Sequence, residues 1–217
     1  VFNKSLIYLD ELNELTFLSL TNKSDNGSQN IINAGINATS QLNAIKKFLE
    51  LNEIKKTIFL TPNVSYKNEI DQAISNSKIK LVERYIYSSK PTMLTNQIEK
   101  ITKYKKRKQN LADEITRLEE SSENNKEQLI EELKKKDTLG SVGFDSIIIA
   151  DFDEGLKSVT TSLFYTDISP KKKYFITLNQ WFDESLLKET SSQPLYFPSA
   201  NKNNYDDFSF KYFEKYN

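Results

Sequence analysis

The chain has 217 residues, enough for one sizeable core or for one domain with part of another. Lys plus Arg and Asp plus Glu both number 30, so the formal net charge is zero and no global field draws in nucleic acid. His and Cys are both absent, which removes Ser–His–acid and Cys–His catalysis, imidazole- or thiolate-bound metal, and disulfides alike.

Aromatic residues at 12% and hydrophobic residues at 37% argue for a folded domain. The missing cysteines leave the redox compartment open. No apolar stretch approaches the ~20 residues of a membrane span. Val1 is not an initiator and no signal peptide is visible, so the chain is expected to begin inside a longer product.

In chain order, Leu6, Ile7, Leu9, Leu12 and Leu15 fall at helical spacing, and residues 15–20 then read as a strand. A polar turn region at 22–30 precedes a crossing segment at 33–37, after which Thr39 or Ser40 is expected to cap a helix. Leu42, Ile45, Phe48, Leu49 and Leu51 form the apolar side of that helix. The run Thr57-Ile58-Phe59-Leu60-Thr61 predicts a strand, followed by a helix over 65–75 and a strand over 80–87. That sequence of elements is a βαβ unit with a right-handed crossover.

Residues 91–136 are highly charged, with apolar positions at Leu94, Ile98, Ile101, Tyr104, Leu111, Ile115 and Leu118. After a polar break at 121–125 the pattern resumes at Leu129, Ile130 and Leu133. Two antiparallel helices are expected, projecting from the α/β body or lying along it. The cluster Lys103, Lys105, Lys106, Arg107 and Lys108 is followed at once by Asp113, Glu114, Glu119 and Glu120, which favours a solvated helix face over a nucleic-acid patch.

Residues 146–150 then predict a strand, and Leu156, Val159, Leu163 and Phe164 a helix behind it. Pro170 breaks the chain before a strand at 174–178. A short helix at 183–187 leads to a short edge strand bracketed by Pro194 and Pro198. The last helix carries Tyr205, Phe208, Phe210, Tyr212 and Phe213.

Near-continuous apolar runs of this length suit strands covered on both faces. The fold class expected is therefore α/β, a three-layer Rossmann-like lobe with a mostly parallel sheet and an inserted helical hairpin. In such sheets ligands lie beyond the carboxyl ends of the strands. The polar tips found there are Thr21, Asn22 and Ser24; Asn63, Ser65 and Tyr66; Asp151 and Asp153; and Asn179, Gln180 and Trp181. They read as walls of a binding cleft, and no residue is assigned a catalytic role.

The alternatives at each tip differ in weight. Asp151 and Asp153 could hold Mg²⁺ or work as acid and base, but capping of the next helix or lining of the cleft is favoured. Trp181 serves equally well as an aromatic platform for a ligand or as packing against the short helix. Ser65 reads more readily as a helix cap than as a ligand contact, and Thr21, Asn22 and Ser24 either face the cleft or build a turn. There is no Gly-rich phosphate loop, and no cofactor or metal is expected.

The order of these pieces carries a resemblance. Lys136-Asp137-Thr138-Leu139-Gly140, then Phe144-Asp145-Ser146-Ile147-Ile148-Ile149-Ala150-Asp151, follow a charged helical hairpin. Thr177-Leu178-Asn179-Gln180-Trp181-Phe182-Asp183-Glu184-Ser185-Leu186 comes later. The chain resembles part of a type I periplasmic binding protein, the Leu/Ile/Val-binding family, and within it the penicillin-binding-protein activator branch. Leu178 or Asn179 stands where that branch usually has glycine.

The resemblance implies that residues 1–37 form the end of lobe one with its crossing segment, and 38–217 form lobe two, with the hairpin at about 91–136. It also implies a non-enzymatic protein of the bacterial envelope. Its location would be the periplasm, with an outer-membrane anchor supplied by a part outside this chain. An activator would contact a peptidoglycan synthase, and the hairpin favours this reading. The alternative is a solute-binding protein that holds an amino acid or related small molecule in the cleft and delivers it to the permease of an ABC transporter. A Mg²⁺-dependent hydrolase using Asp151 and Asp153 is the third reading.

Overall fold

A computed structural model of the chain describes residues 14–19, 30–33, 35–178, 188, 192–199 and 202–216. Its centre is β3 (Thr57–Pro62), every residue of which is buried. Parallel partners flank it on both sides: β4 (Glu83–Tyr87), with Ile58 opposite Glu83, and β5 (Ser146–Ile149), with Ile58 opposite Ile147. β6 (Tyr174–Thr177) and β7 (Leu195–Tyr196) extend the sheet, giving the order β4-β3-β5-β6-β7 with every pairing parallel. The expected parallel sheet is thus present. A separate two-stranded parallel sheet joins β1 (Phe17–Ser19) to β2 (Ile31–Asn33).

Period-two alternation sorts the strand residues between two cores. Ile58 and Leu60 of β3, Ile147 and Ile149 of β5, and Phe175 of β6 face one side. They meet Leu94 and Ile98 of α3 (Pro91–Ile101) and Leu156, Val159 and Leu163 of α6 (Asp153–Tyr165). Phe59, Ile148 and Ile176 face the other side. There they pack on Leu42, Ile45 and Leu49 of α1 (Ala38–Leu51) and Ile70, Ala73 and Ile74 of α2 (Lys67–Ser77). Both faces are covered, which is why these strands read as unbroken apolar runs.

Local caps differ from the sequence expectation. Asn37, not Thr39 or Ser40, caps α1: its Oδ1 accepts the Ser40 N–H at 2.9 Å. Ser65 caps nothing, because α2 starts two residues later behind Tyr66. Expected apolar positions on three helices lie outside the core: Leu51 is 84% exposed at the end of α1, Phe164 is exposed at the end of α6, and the α7 (Lys202–Tyr216) aromatics Tyr205, Phe208, Phe210, Tyr212 and Phe213 are all exposed.

The charged region from Pro91 forms three helices rather than two. α3 belongs to the body: it is the crossover from β4 to β5, and Thr95 Oγ1 lies 3.3 Å from Ser162 Oγ of α6. Only α4 (Tyr104–Glu119) and α5 (Lys126–Lys134) make a hairpin. The spacing of Leu94, Ile98, Ile101 and Tyr104 runs straight through the break, so periodicity hid it. The break itself is Thr102, whose Oγ1 donates back to the Ile98 carbonyl at 2.8 Å, and Lys103, at φ +52°.

Arg107 corrects the reading of its cluster as a wholly solvated face. Its neighbours Lys105, Lys106 and Lys108 are exposed, but Arg107 is buried. The guanidinium donates to the Thr102 carbonyl at 3.3 Å, the Thr166 carbonyl at 3.2 Å and Thr138 Oγ1 at 2.5 Å. Thr138 Oγ1 in turn donates to Asp167 Oδ2 at 2.5 Å. The backbone carbonyl of Arg107 also accepts from the Leu139 N–H at 3.0 Å. One side chain therefore pins the hairpin to the α6–β6 connection.

Candidate functional site

A crevice must open where the chain reverses its direction of travel across a parallel sheet. From β3 the chain goes to β4 on one side, then crosses back to β5 on the other. α2 and α3 consequently lie on opposite faces, and the carboxyl ends of β3 and β5 are left between them. Asn63 and Tyr66 follow β3 there, and Asp151 follows β5.

Asp151 is the hub of that crevice. Its Oδ1 accepts the Phe152 N–H at 2.9 Å and the Tyr66 hydroxyl at 3.4 Å, and its Oδ2 accepts the Tyr87 hydroxyl. The Tyr66 hydroxyl also reaches the Ala150 carbonyl at 3.3 Å. Thr177 Oγ1 donates to the Ile149 carbonyl at 2.9 Å and lies 3.4 Å from the Asp151 carbonyl, tying the end of β6 to the same tip. Burial first, and then the Asp151 carboxylate through its hydrogen bonds and its charge, pushes both tyrosine hydroxyls well above the ordinary phenol range, so both stay protonated donors.

Space is left around the carboxylate by a glycine. A Cβ at Gly155 would stand 2.5 Å from Asp151 Oδ1 and 2.6 Å from Oδ2. Phe152 is partly exposed and meets the Tyr66 ring edge-on at 5.8 Å between centroids. Beside Tyr87 a cavity of about 330 Å³ opens, lined also by Asn63, Ile86, Ser88, Ser89, Met93 and Gln97. The Asn63 N–H donates to the Tyr87 carbonyl at 2.9 Å, and Gln97 Oε1 accepts the Ser88 N–H at 2.9 Å, so both walls are fixed.

The crevice therefore joins Asn63, Tyr66 and Asp151 of the sequence candidates. Ser65 is exposed and makes no bond to them. Asp153 is the first residue of α6, at φ +44° and exposed; it does not share the Asp151 bonds and does not cap the helix with its side chain. Thr21, Asn22, Ser24, Asn179, Gln180 and Trp181 lie outside the described residues. Among the described residues no group of three or more Asp or Glu could hold a metal ion. Sequence reasoning missed Tyr87, Phe152, Ser88 and Gln97. Gly155 had a signal: it is one of five glycines and sits in the first turn of a helix, where glycine costs stability.

Chemically, the arrangement offers one carboxylate, two hydroxyl donors, amide groups and an aromatic edge beside a modest cavity. It suits recognition of a small polar molecule.

Neither any family model nor any curated protein matches the sequence. Solved structures do align with the chain. An ABC transporter substrate-binding protein from Desulfitobacterium hafniense aligns at a TM-score of 0.54 and 15% identity, over 96% of this chain and 52% of its own length. An extracellular ligand-binding receptor from Verminephrobacter eiseniae aligns at a TM-score of 0.45 and 8% identity, over 81% of this chain and 41% of its own. The chain spans about half the length of these proteins. The α/β fold with its parallel five-stranded sheet is shared with the protein from Desulfitobacterium hafniense.

Proposed function

We propose that this chain is the ligand-binding lobe of a periplasmic solute-binding protein, taking an amino acid or related small molecule at the β3–β5 crevice for delivery to an ABC transporter. The observation that carries the reading is the Asp151 carboxylate, held at the switch point by Tyr66, Tyr87 and the Phe152 amide. A fixed negative charge flanked by neutral hydroxyls receives an ammonium group, and the neighbouring cavity has room for a small side chain. The protein acts by binding and not by catalysis.

The activator reading favoured by the sequence places a peptidoglycan synthase against the α4–α5 hairpin. Nothing in the comparisons supports it, and the structural relatives fit the solute-binding alternative better. A location in the periplasm follows the solute-binding reading.

Thermal unfolding in the presence of each of the twenty amino acids tests the proposal. A ligand at a hundred times its Kd stabilises by about 2.7 kcal/mol, a readable rise in Tm. At least one amino acid should raise Tm, and Asp151→Asn should abolish the rise while the variant still folds. No rise with any amino acid, or an undiminished rise in the variant, overturns it.

A further inference from the structure

The opposite rim of the sheet carries a different chemistry. Because all five strands are parallel, every connection that enters a strand lies on the amino edge, away from the crevice. Each of the first four delivers exposed lysine there: Lys56 before β3, Lys80 before β4, Lys136 before β5 and Lys172 before β6. The α3–α4 elbow adds Lys103 and Lys106, which wall a concavity of about 480 Å³. Arg107 fixes that elbow to the same edge through the Thr166 carbonyl. In a chain of zero net charge, this is a strong local excess. The acids on this edge and elbow, Glu53, Glu83, Glu99, Asp137, Asp145 and Asp167, are fewer than the lysines, which also include Lys55, Lys78, Lys100, Lys105, Lys135 and Lys171. Asp145 is 3.7 Å from Lys173, Glu99 3.8 Å from Lys105 and Asp167 3.5 Å from Arg107.

Exposed apolar side chains stand among these lysines. Leu51 ends α1 at 84% exposure, Val82 precedes β4 at 57%, and Phe164 and Tyr165 end α6 at 55% each. All four sit at the amino edge, because α1 and α6 run antiparallel to the strands they precede. A basic rim studded with apolar groups matches an interface of lipid headgroup and acyl boundary, where lysines hold anionic headgroups and apolar tips sink between them. Lysine, a hydrated point charge, suits a diffuse negative surface better than a bidentate phosphate site.

We propose that the amino edge of this sheet is a docking face for an anionic membrane surface. With that edge on the lipid the crevice at the carboxyl edge faces away from it, so this is a docked state distinct from the one that would hand ligand to a permease. The inference does not depend on what the crevice binds.

Vesicle co-sedimentation tests it, using phosphatidylglycerol mixed with phosphatidylcholine, phosphatidylcholine alone, and soluble polyphosphate as competitor. The chain should bind the anionic vesicles at low salt, leave them at molar salt, and ignore the neutral ones. K56Q/K106Q should weaken binding by about tenfold or more, whereas K90Q/K157Q, an equal charge change near the carboxyl edge, should not. Leu51→Ser with Phe164→Ser should weaken vesicle binding and leave polyphosphate binding unchanged. Tm measurements on each variant establish that it is folded. Absence of binding at low salt, equal loss in the two lysine pairs, or polyphosphate binding with the apolar substitutions silent on vesicles each overturns the proposal.

Discussion

Gly155 leaves the space that the Asp151 carboxylate occupies: a Cβ there would come within 2.5 Å of Oδ1. Alanine in a helix is ordinarily favoured over glycine by about 0.5–1 kcal/mol. Here the carboxylate would have to move and loosen its bonds from Tyr66 and Tyr87, each worth about 1.5–3 kcal/mol as a hydrogen bond to a charged group. Gly155→Ala should therefore lower stability by roughly 1–3 kcal/mol in urea unfolding. A variant as stable as the parent would mean that the carboxylate is not held in this position.

The tyrosines give a pH signature. Burial and the Asp151 charge raise Tyr66 and Tyr87, and burial with Glu83 raises Tyr85 to about 12. An unfolded phenol titrates near pH 10. A phenol raised in the folded state gives stability that is complete below about pH 10 and lost as pH climbs toward the folded value. Near-ultraviolet titration should show a group of late-ionising phenols, one fewer in Tyr87→Phe. All tyrosines ionising together near pH 10 would contradict the crevice geometry.

Asp71 gives the opposite sign. Hydrogen bonds from Lys67, at 2.6 Å, and Arg84 hold its carboxyl below the usual range against a partial burial cost. The stability it adds is present above the unfolded carboxyl pKa of about 4 and is lost as pH falls through the folded value. The stability gap between the parent and Asp71→Asn should therefore narrow on acidification, measured by urea midpoints across the acid range. A gap that stays constant would remove Asp71 from the acid response.

Arg107 reaches two carbonyls and a hydroxyl at once, Thr102, Thr166 and Thr138. Arg107→Ala leaves those groups and Asp167 without it, at about 3 kcal/mol. Arg107→Lys should recover only part of this, since one ammonium cannot span the set. Amide exchange should rise first in α4 and α5, before the sheet. Equal protection of hairpin and sheet in Arg107→Ala would show that the residue is not the pin.

Burial sets the scale elsewhere. Ile148, fully buried in the second core, should cost about 2–5 kcal/mol as alanine. Leu51→Ala, at a site 84% exposed, should stay within about 0.5 kcal/mol. Parity between the two would contradict the two-sided core.

The sheet was legible because Ile58–Leu60 and Ile147–Ile149 are apolar at consecutive positions, which only two-sided coverage requires. Asp151 was legible as a polar tip on such a run. The α3–α4 break was not, because Ile101 and Tyr104 keep the helical spacing across it. Arg107 was hidden by four lysine neighbours of the same charge, since nothing local marks which cation turns inward. Tyr87 read as a strand residue, and its bond to Asp151 spans 64 positions, which no local pattern encodes.

Amide chemical-shift mapping during titration with the stabilising amino acid tests the crevice most directly. The account predicts saturable shifts gathered at residues 62–66, 87–89 and 150–155, with the amino edge silent. Shifts centred on α4–α5 or on the amino edge, or none that saturate, would contradict it.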